Sequence, residues 1–351
     1  MQKYPLPTLL LFSLLLVVSS FVIENYKSSS SEEIANLKLL YKRDLVIPYP
    51  KINPYTEAKY NLGKMLFFDP RLSDTNAISC ATCHNPAFSW TDGHKNTLGK
   101  ELKPVGRKAM TLLNLAWDKP LLWDARAPHL ESQVAEALFA PDGMSNELPE
   151  LLSKIKNISE YRDLFSKAFA NEDPVFAEND YINLNTIKAA IATFERQIIS
   201  PKAPFDLWIE GNESAISESA KRGFMIFNEK GNCASCHSGW RFSDGNYYNI
   251  GVKEQFMDVG SGIRNLKDKS LHFTFKAVGL RNIDRRPPYM HNGSIETLEE
   301  VIEFYNKGGE MKAHNLAISP LNLSAEEKAD LLSFLKTLTS HQEITVPSMP
   351  Q

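Results

Sequence analysis

The chain has 351 residues, 43% of them hydrophobic and 23% charged, which is ordinary globular material and enough for two domains with cores of their own. With 39 Lys and Arg against 42 Asp and Glu, the formal net charge is -3. No basic field is available to hold a phosphate backbone, so a nucleic-acid partner is excluded.

In chain order, the first feature is an apolar run over residues 6–23, behind Lys3 and ahead of "ENYKSSSSEE". It is long for a signal-peptide core and short for a spanning helix, and "VVSSFV" lacks a small-x-small cleavage pattern. Residues 1–27 therefore read either as a cleaved signal peptide or as a retained N-terminal membrane anchor. No later window is apolar enough to cross a bilayer, so the remainder is expected in the periplasm. Residues 28–52 read as a linker.

"YTEAKYNLGKMLFFDPRLS" then reads as a helix ending near Asp69 and Pro70, followed by loops rich in Gly, Pro and Asn to about Pro104. Helical periodicity returns in "HLESQVAEALF", "ELPELLSKIK", "YRDLFSKAFA" and "NTIKAAIATFERQIIS". The two prolines and the glycine of "SPKAPFDLWIEGN" mark a boundary between domains at 53–210 and 211–345. "SESAKRGFMIFNEKGNCASCH" opens the second domain with a helix. "TLEEVIEFYNKGG" and "SAEEKADLLSFLKTLTS" close it, with Ser324 and Glu327 in capping-box register.

The four cysteines are Cys80, Cys83, Cys233 and Cys236, in "CATCH" and "CASCH". A disulfide framework would scatter them along the chain, a zinc site would need a fourth ligand nearby, and a thioredoxin-like pair would not need the histidine twice. CxxCH is the attachment sequence of c-type haem: two thiols add to the vinyl groups, and the adjacent imidazole, here His84 or His237, becomes an axial ligand of the iron. One helical turn sets both sulfurs along one porphyrin edge. The expected fold is mainly α, with two cytochrome c-like domains, each wrapped around one covalently bound c-type haem. The function then turns on the second axial position of each iron. A filled position passes electrons, whereas an open one binds a small molecule.

"LGKMLFFDPRLSDTNAISCATCH", "LLWDARAPHLESQ" and "LRNIDRRPPYMHNGSIETLEEVIEFY" together resemble the bacterial di-haem cytochrome c peroxidase family, including its MauG-like members. The resemblance runs from about Asn53 to Thr339. It implies that the first haem binds hydrogen peroxide and the second receives electrons, with Trp123 between them. Met290, His291, Tyr305 and Met311 are candidate ligands for the second iron. By position Tyr305 stands where peroxidases carry methionine and MauG-like members an axial tyrosine. Gln133 falls on the family's distal glutamine. The distal glutamate position holds Gly143, leaving Asp142 next to it and Glu136 as second candidate, and the family proline between these positions is replaced by Ala137. Lys100 stands where many relatives carry a gating histidine, with His94 six residues earlier. Lys108 and Arg286 occupy positions of the family's interdomain calcium site, so no calcium is expected there.

The leading expectation is an exported peroxidase that reduces hydrogen peroxide to water with electrons from a small cytochrome c or cupredoxin. A MauG-like oxidase acting on a protein substrate and a non-catalytic di-haem electron carrier are the alternatives. Dimers are common in the family.

Overall fold

Two hydrophobic clusters divide the buried surface, and each forms where the sequence carries helical periodicity. The computed structural model describes residues 32–170, 180–253, 258–341 and 343–351. The apolar run at 6–23 lies outside them. Among the described residues no helix is long and apolar enough to cross a membrane.

The helices in chain order are α1 (32–40), α2 (Glu57–Phe68), α3 (Cys80–Cys83), α4 (Leu130–Phe139), α5 (Leu148–Lys156), α6 (Ser159–Phe169) and α7 (Leu184–Arg196). They continue with α8 (Pro204–Ile209), α9 (Glu218–Asn228), α10 (Leu298–Lys307) and α11 (Ala325–Lys336). A two-residue ribbon pairs β1 (Tyr247–Tyr248) with β2 (Phe275–Lys276), antiparallel, with Tyr247 opposite Lys276. Side-chain caps set several starts. Thr56 accepts from the Lys59 amide at 3.2 Å, and Ser324 with Glu327 forms the reciprocal box that its spacing predicts.

Each cluster is built on one close helix crossing. On α2, a Cβ added at Gly63 would stand 1.9 Å from the Ala190 carbonyl oxygen of α7. On α9, one added at Gly223 would stand 2.0 Å from the Asp330 carbonyl oxygen of α11. Only glycine permits either approach. The two glycines head the similar stretches "GKMLF" and "GFMIF", each on the helix that precedes a CxxCH. The two halves therefore repeat one packing geometry.

The ends of the chain cross over. The stretch read as a linker, 28–52, is packed from residue 32 onward. Tyr41 is 1% exposed among Phe205, Phe224 and Phe242 of the second cluster, and its hydroxyl donates to Asn228 Oδ1 at 2.7 Å. At the other end, Ile344 packs on the first cluster and the Pro350 carbonyl accepts from Arg71 at 2.8 Å. The passage between clusters falls between Ile198 and Phe205, ahead of residue 210, because Phe205 and Trp208 of α8 pack into the second cluster. Behind them Arg281 and Asp206 form a two-bond ion pair, both contacts at 2.7 Å.

Between the clusters, Trp117 meets Trp240 edge-on at 4.9 Å, and Asp118 pairs with Arg241. Arg107 reaches Asp124 on one side and Asp258 on the other, each at 2.7 Å.

Candidate haem centre

Cys80 and Cys83 occupy the single turn of α3, at whose start the Ser79 amide donates to Thr82 Oγ1 at 3.0 Å, and the His84 amide donates to the Cys80 carbonyl at 2.9 Å. The second motif is tighter. Asn232, in the left-handed region at φ 47°, turns the chain into a 3-10 turn over Cys233–Ser235, and the His237 amide donates to the Cys233 carbonyl at 2.9 Å.

Each imidazole is oriented by a backbone carbonyl. His84 Nδ1 lies 3.2 Å from the Trp90 oxygen, and His237 Nδ1 lies 2.9 Å from the Phe242 oxygen. A carbonyl only accepts, so Nδ1 carries the proton and Nε2 keeps the ring's lone pair, the tautomer an axial ligand needs. Burial holds both rings below the usual histidine range, so they stay neutral. Trp90 and Phe242 are themselves buried aromatics at φ 65° and φ 56°, a left-handed conformation that bulky side chains rarely adopt. The same local strain recurs at both motifs, where it aims the carbonyl at the ring. Sequence reasoning missed both residues.

The thiols fit attachment better than redox or zinc chemistry. All four cysteines are free. Burial pushes Cys83 up to about 11 and Cys233 up to about 12, and raises Cys80 and Cys236 as well. A reactive or zinc-binding thiol is shifted the other way. Among the described residues no three His, Cys, Asp or Glu side chains converge as a metal site. The donor set suits a large planar group with its own metal.

Trp123 lies where the clusters meet. Its indole N–H donates to the Lys108 carbonyl at 2.8 Å, and its own carbonyl accepts from the Lys276 amide at 3.1 Å. Its ring stands edge-on to His291 at 6.1 Å, and His291 stacks on Phe275 at 3.5 Å. This stack places His291 in the seam.

Tyr305, on α10, packs against the second cluster alongside Met290 and Cys233. Burial is the main cause raising its pKa, and the nearby Cys233 and Cys236 add to it. Met290 sits in a turn at φ 70°, and Met311 is 39% exposed.

Around the first motif, Gln133 on α4 is buried, and its Oε1 has no hydrogen-bond partner. A buried amide oxygen in that state is one that a guest can satisfy. Asp142 is exposed, and its backbone carbonyl docks on the Lys100 amide at 3.1 Å. Glu136 pairs with Arg126 at 3.2 Å on the surface. At Gly143 an added Cβ would come within 3.0 Å of Ala140 Cβ, so this turn is tight for any longer side chain. Ala137 borders the same turn, its carbonyl accepting from Met144 at 3.4 Å. His94 is exposed, and Lys100 reaches Asp74 at 2.5 Å.

One acid near this site escaped the sequence reading. Glu195 on α7 is 3% exposed, its Oε2 has no partner, and burial lifts its pKa to about 8. It lies within electrostatic reach of Cys80. The only sequence signal was a polar pair, "ER", interrupting the apolar stripe of α7.

Lys108 and Arg286 are both buried. Burial lowers Lys108 to about 8 and Arg286 to about 10.

The comparisons agree with this geometry. A family model described as "Di-haem cytochrome c peroxidase" matches residues 57–214. The chain is 38% identical to the "Methylamine utilization protein MauG" of Methylorubrum extorquens, over 99% of both chains. It is 30% identical to the "Cytochrome-c peroxidase IdrP1" of Pseudomonas sp. (strain SCT), over 86% of this chain and 87% of that one. Among solved structures, a MauG-like protein associated with microbial copper homeostasis superposes with a TM-score of 0.75 at 30% identity, covering 85% of this chain and 95% of the other. With two oriented histidines, four free thiols and near full-length likeness to both kinds of relative, the chain belongs to the di-haem cytochrome c peroxidase family.

Proposed function

We propose that the protein is an exported, periplasmic MauG-like oxidase. It would carry two c-type haems on thioethers at Cys80 with Cys83 and at Cys233 with Cys236, and would oxidise a protein substrate at the expense of hydrogen peroxide. The observation that carries this reading is Tyr305, half-buried on α10 and packed, like Cys233, against the second cluster. When bound, the haems supply iron that exchanges electrons and, at an open position, binds peroxide.

The side chains divide the work. His84 and His237 present Nε2, because their Nδ1 protons are taken by carbonyls. A phenol in so apolar a place ionises only against a strong cation, so Tyr305 is suited to a ferric ion and would favour its higher oxidation states. Gln133 offers the distal pocket an amide, whose oxygen lacks a partner within the protein. Asp142, pointing to solvent, is poorly placed to shuttle a proton between peroxide oxygens. That weakens fast peroxide turnover and leaves slow, stored oxidation as the better use of the site. Trp123 lends its indole to exchange between the two haems.

The conventional peroxidase is the second reading, supported by Gln133 and by relatives that bear that name. Spectra and one assay separate the readings. The oxidase reading expects a high-spin ferric signal that disappears with peroxide, together with slow steady-state oxidation of reduced cytochrome c or cupredoxin. Fast turnover would make the protein a peroxidase. Two permanently six-coordinate low-spin haems would make it an electron carrier.

A further inference from the structure

The family's interdomain calcium does not fit this chain. A divalent ion needs hard oxygen donors, and two buried cations, Lys108 and Arg286, stand at those positions. Both are tied to the seam. The Lys108 amide donates to the His291 carbonyl at 2.8 Å, its carbonyl accepts the Trp123 indole at 2.8 Å, and its Nζ lies 3.5 Å from the Pro287 carbonyl. Arg286 donates to the Gly279 carbonyl at 2.6 Å and to the Asn282 carbonyl at 3.3 Å.

Among the described residues neither cation forms an ion pair with a carboxylate. Asp92 and Glu296 are the acids within electrostatic reach of Lys108, whereas the hydrogen bonds of Arg286 end on backbone carbonyls. Arg286 is buried without a carboxylate partner, an arrangement that is strongly disfavoured, so the folded state calls for an anion beside it. Arg286 donates to the Gly279 carbonyl, and a Cβ added at Gly279 would stand 2.8 Å from the carbonyl oxygen of Arg241, four residues beyond His237, which sets the guanidinium near the second motif. Haem carries two propionate carboxylates, and a planar guanidinium receives a carboxylate in a paired fork.

We infer that Arg286 and Lys108 anchor haem propionates at the seam, Arg286 holding the second haem, and that these built-in cations replace a divalent ion. The inference rests on the two-haem reading above. Both residues are positioning residues, acting on the haems through their carboxylates.

Haem content of the matured holoprotein is measured first, so that a loss of the functional reading is seen separately. A chain without porphyrin overturns both. With two haems present, metal analysis should find no stoichiometric calcium, and a chelator should leave the spectra unchanged. In resonance Raman, the Arg286→Gln protein should show a displaced propionate-bending band. Its second haem should have a lower midpoint potential, because a lost positive charge favours the ferric state. Arg286→Lys should restore most of both shifts, and Lys108→Gln should move the haem whose propionate it holds. If Arg286→Gln does not fold, the Lys variant and the unmodified protein still report the propionate band. Unmoved bands and potentials, or one tightly held calcium whose removal alters the spectra, would overturn the inference.

Discussion

The indole N–H of Trp123 ends on the carbonyl oxygen of Lys108, 2.8 Å away, and the amide of that same lysine holds the His291 carbonyl at the same distance. One residue of the first half thus fixes both the aromatic at the seam and the loop of the second half. Trp123→Phe keeps one aromatic ring and loses the pyrrole ring with its N–H bond, the bond alone being worth about 1 kcal/mol in stability. Both haems should remain attached, while electron exchange between them slows, as followed by stopped-flow reduction of each haem band. Unchanged exchange would remove Trp123 from the path.

Tyr305→Phe removes one oxygen from a place where burial already disfavours the charged phenol. If the oxygen is bound to iron, the low-spin electron paramagnetic resonance signal and the near-infrared ligand band must change, and the potential of the second haem must rise. If neither responds, Met290, which packs against the same second cluster, becomes the ligand to test by Met290→Leu.

The helices and both haem motifs were legible because they are local. Capping boxes such as Ser324 with Glu327 span four residues, and CxxCH spans five. What escaped is carried by distance or by backbone. Asp206 finds Arg281 across 75 positions of chain, and no periodicity marks such a pair. Tyr41 docks on the second cluster together with Ile34 and Leu37, a long-range contact that the serine-rich start of this stretch hid, so composition read it as linker. The left-handed turns at Trp90 and Phe242 carry no glycine to signal them. Asp142 looked one residue from the right place, but the turn before Gly143 directs it to solvent.

Glu195 predicts a pH dependence of stability. Burial raises its folded pKa from 4.5 to about 8, so between those values the folded state holds a proton that the unfolded chain has lost. The stabilisation is complete below pH 4.5, declines as pH rises, and is exhausted above about pH 8, on the order of a few kcal/mol in all. Glu195→Gln keeps the shape and cannot ionise. It should match the parent in Tm near pH 5 and exceed it near pH 8.5, as read by thermal unfolding across that range. Parallel profiles for the two proteins would show that the acid titrates normally.

The Asp206 and Arg281 pair holds α8 to the second cluster. Both side chains are nearly inaccessible, at 2% and 1%, and Asp206 Oδ2 also accepts the Ala203 amide at 2.8 Å, closing the start of α8. Asp206→Ala leaves a buried guanidinium with the Trp240 carbonyl and the faces of Phe205 and Phe242 but no carboxylate, so about 3–5 kcal/mol of stability should be lost. The double variant Asp206→Leu with Arg281→Met removes both charges and should recover much of that loss, because the desolvation cost disappears with the pair. Arg281→Met alone should cost less than Asp206→Ala, since the carboxylate keeps the Ala203 amide at 2.8 Å and the Arg43 guanidinium at 3.5 Å. Chemical denaturation of the three variants with equal haem content measures the coupling. Additive losses in the double variant would mean that the two residues act independently, in spite of contacts at 2.7 Å.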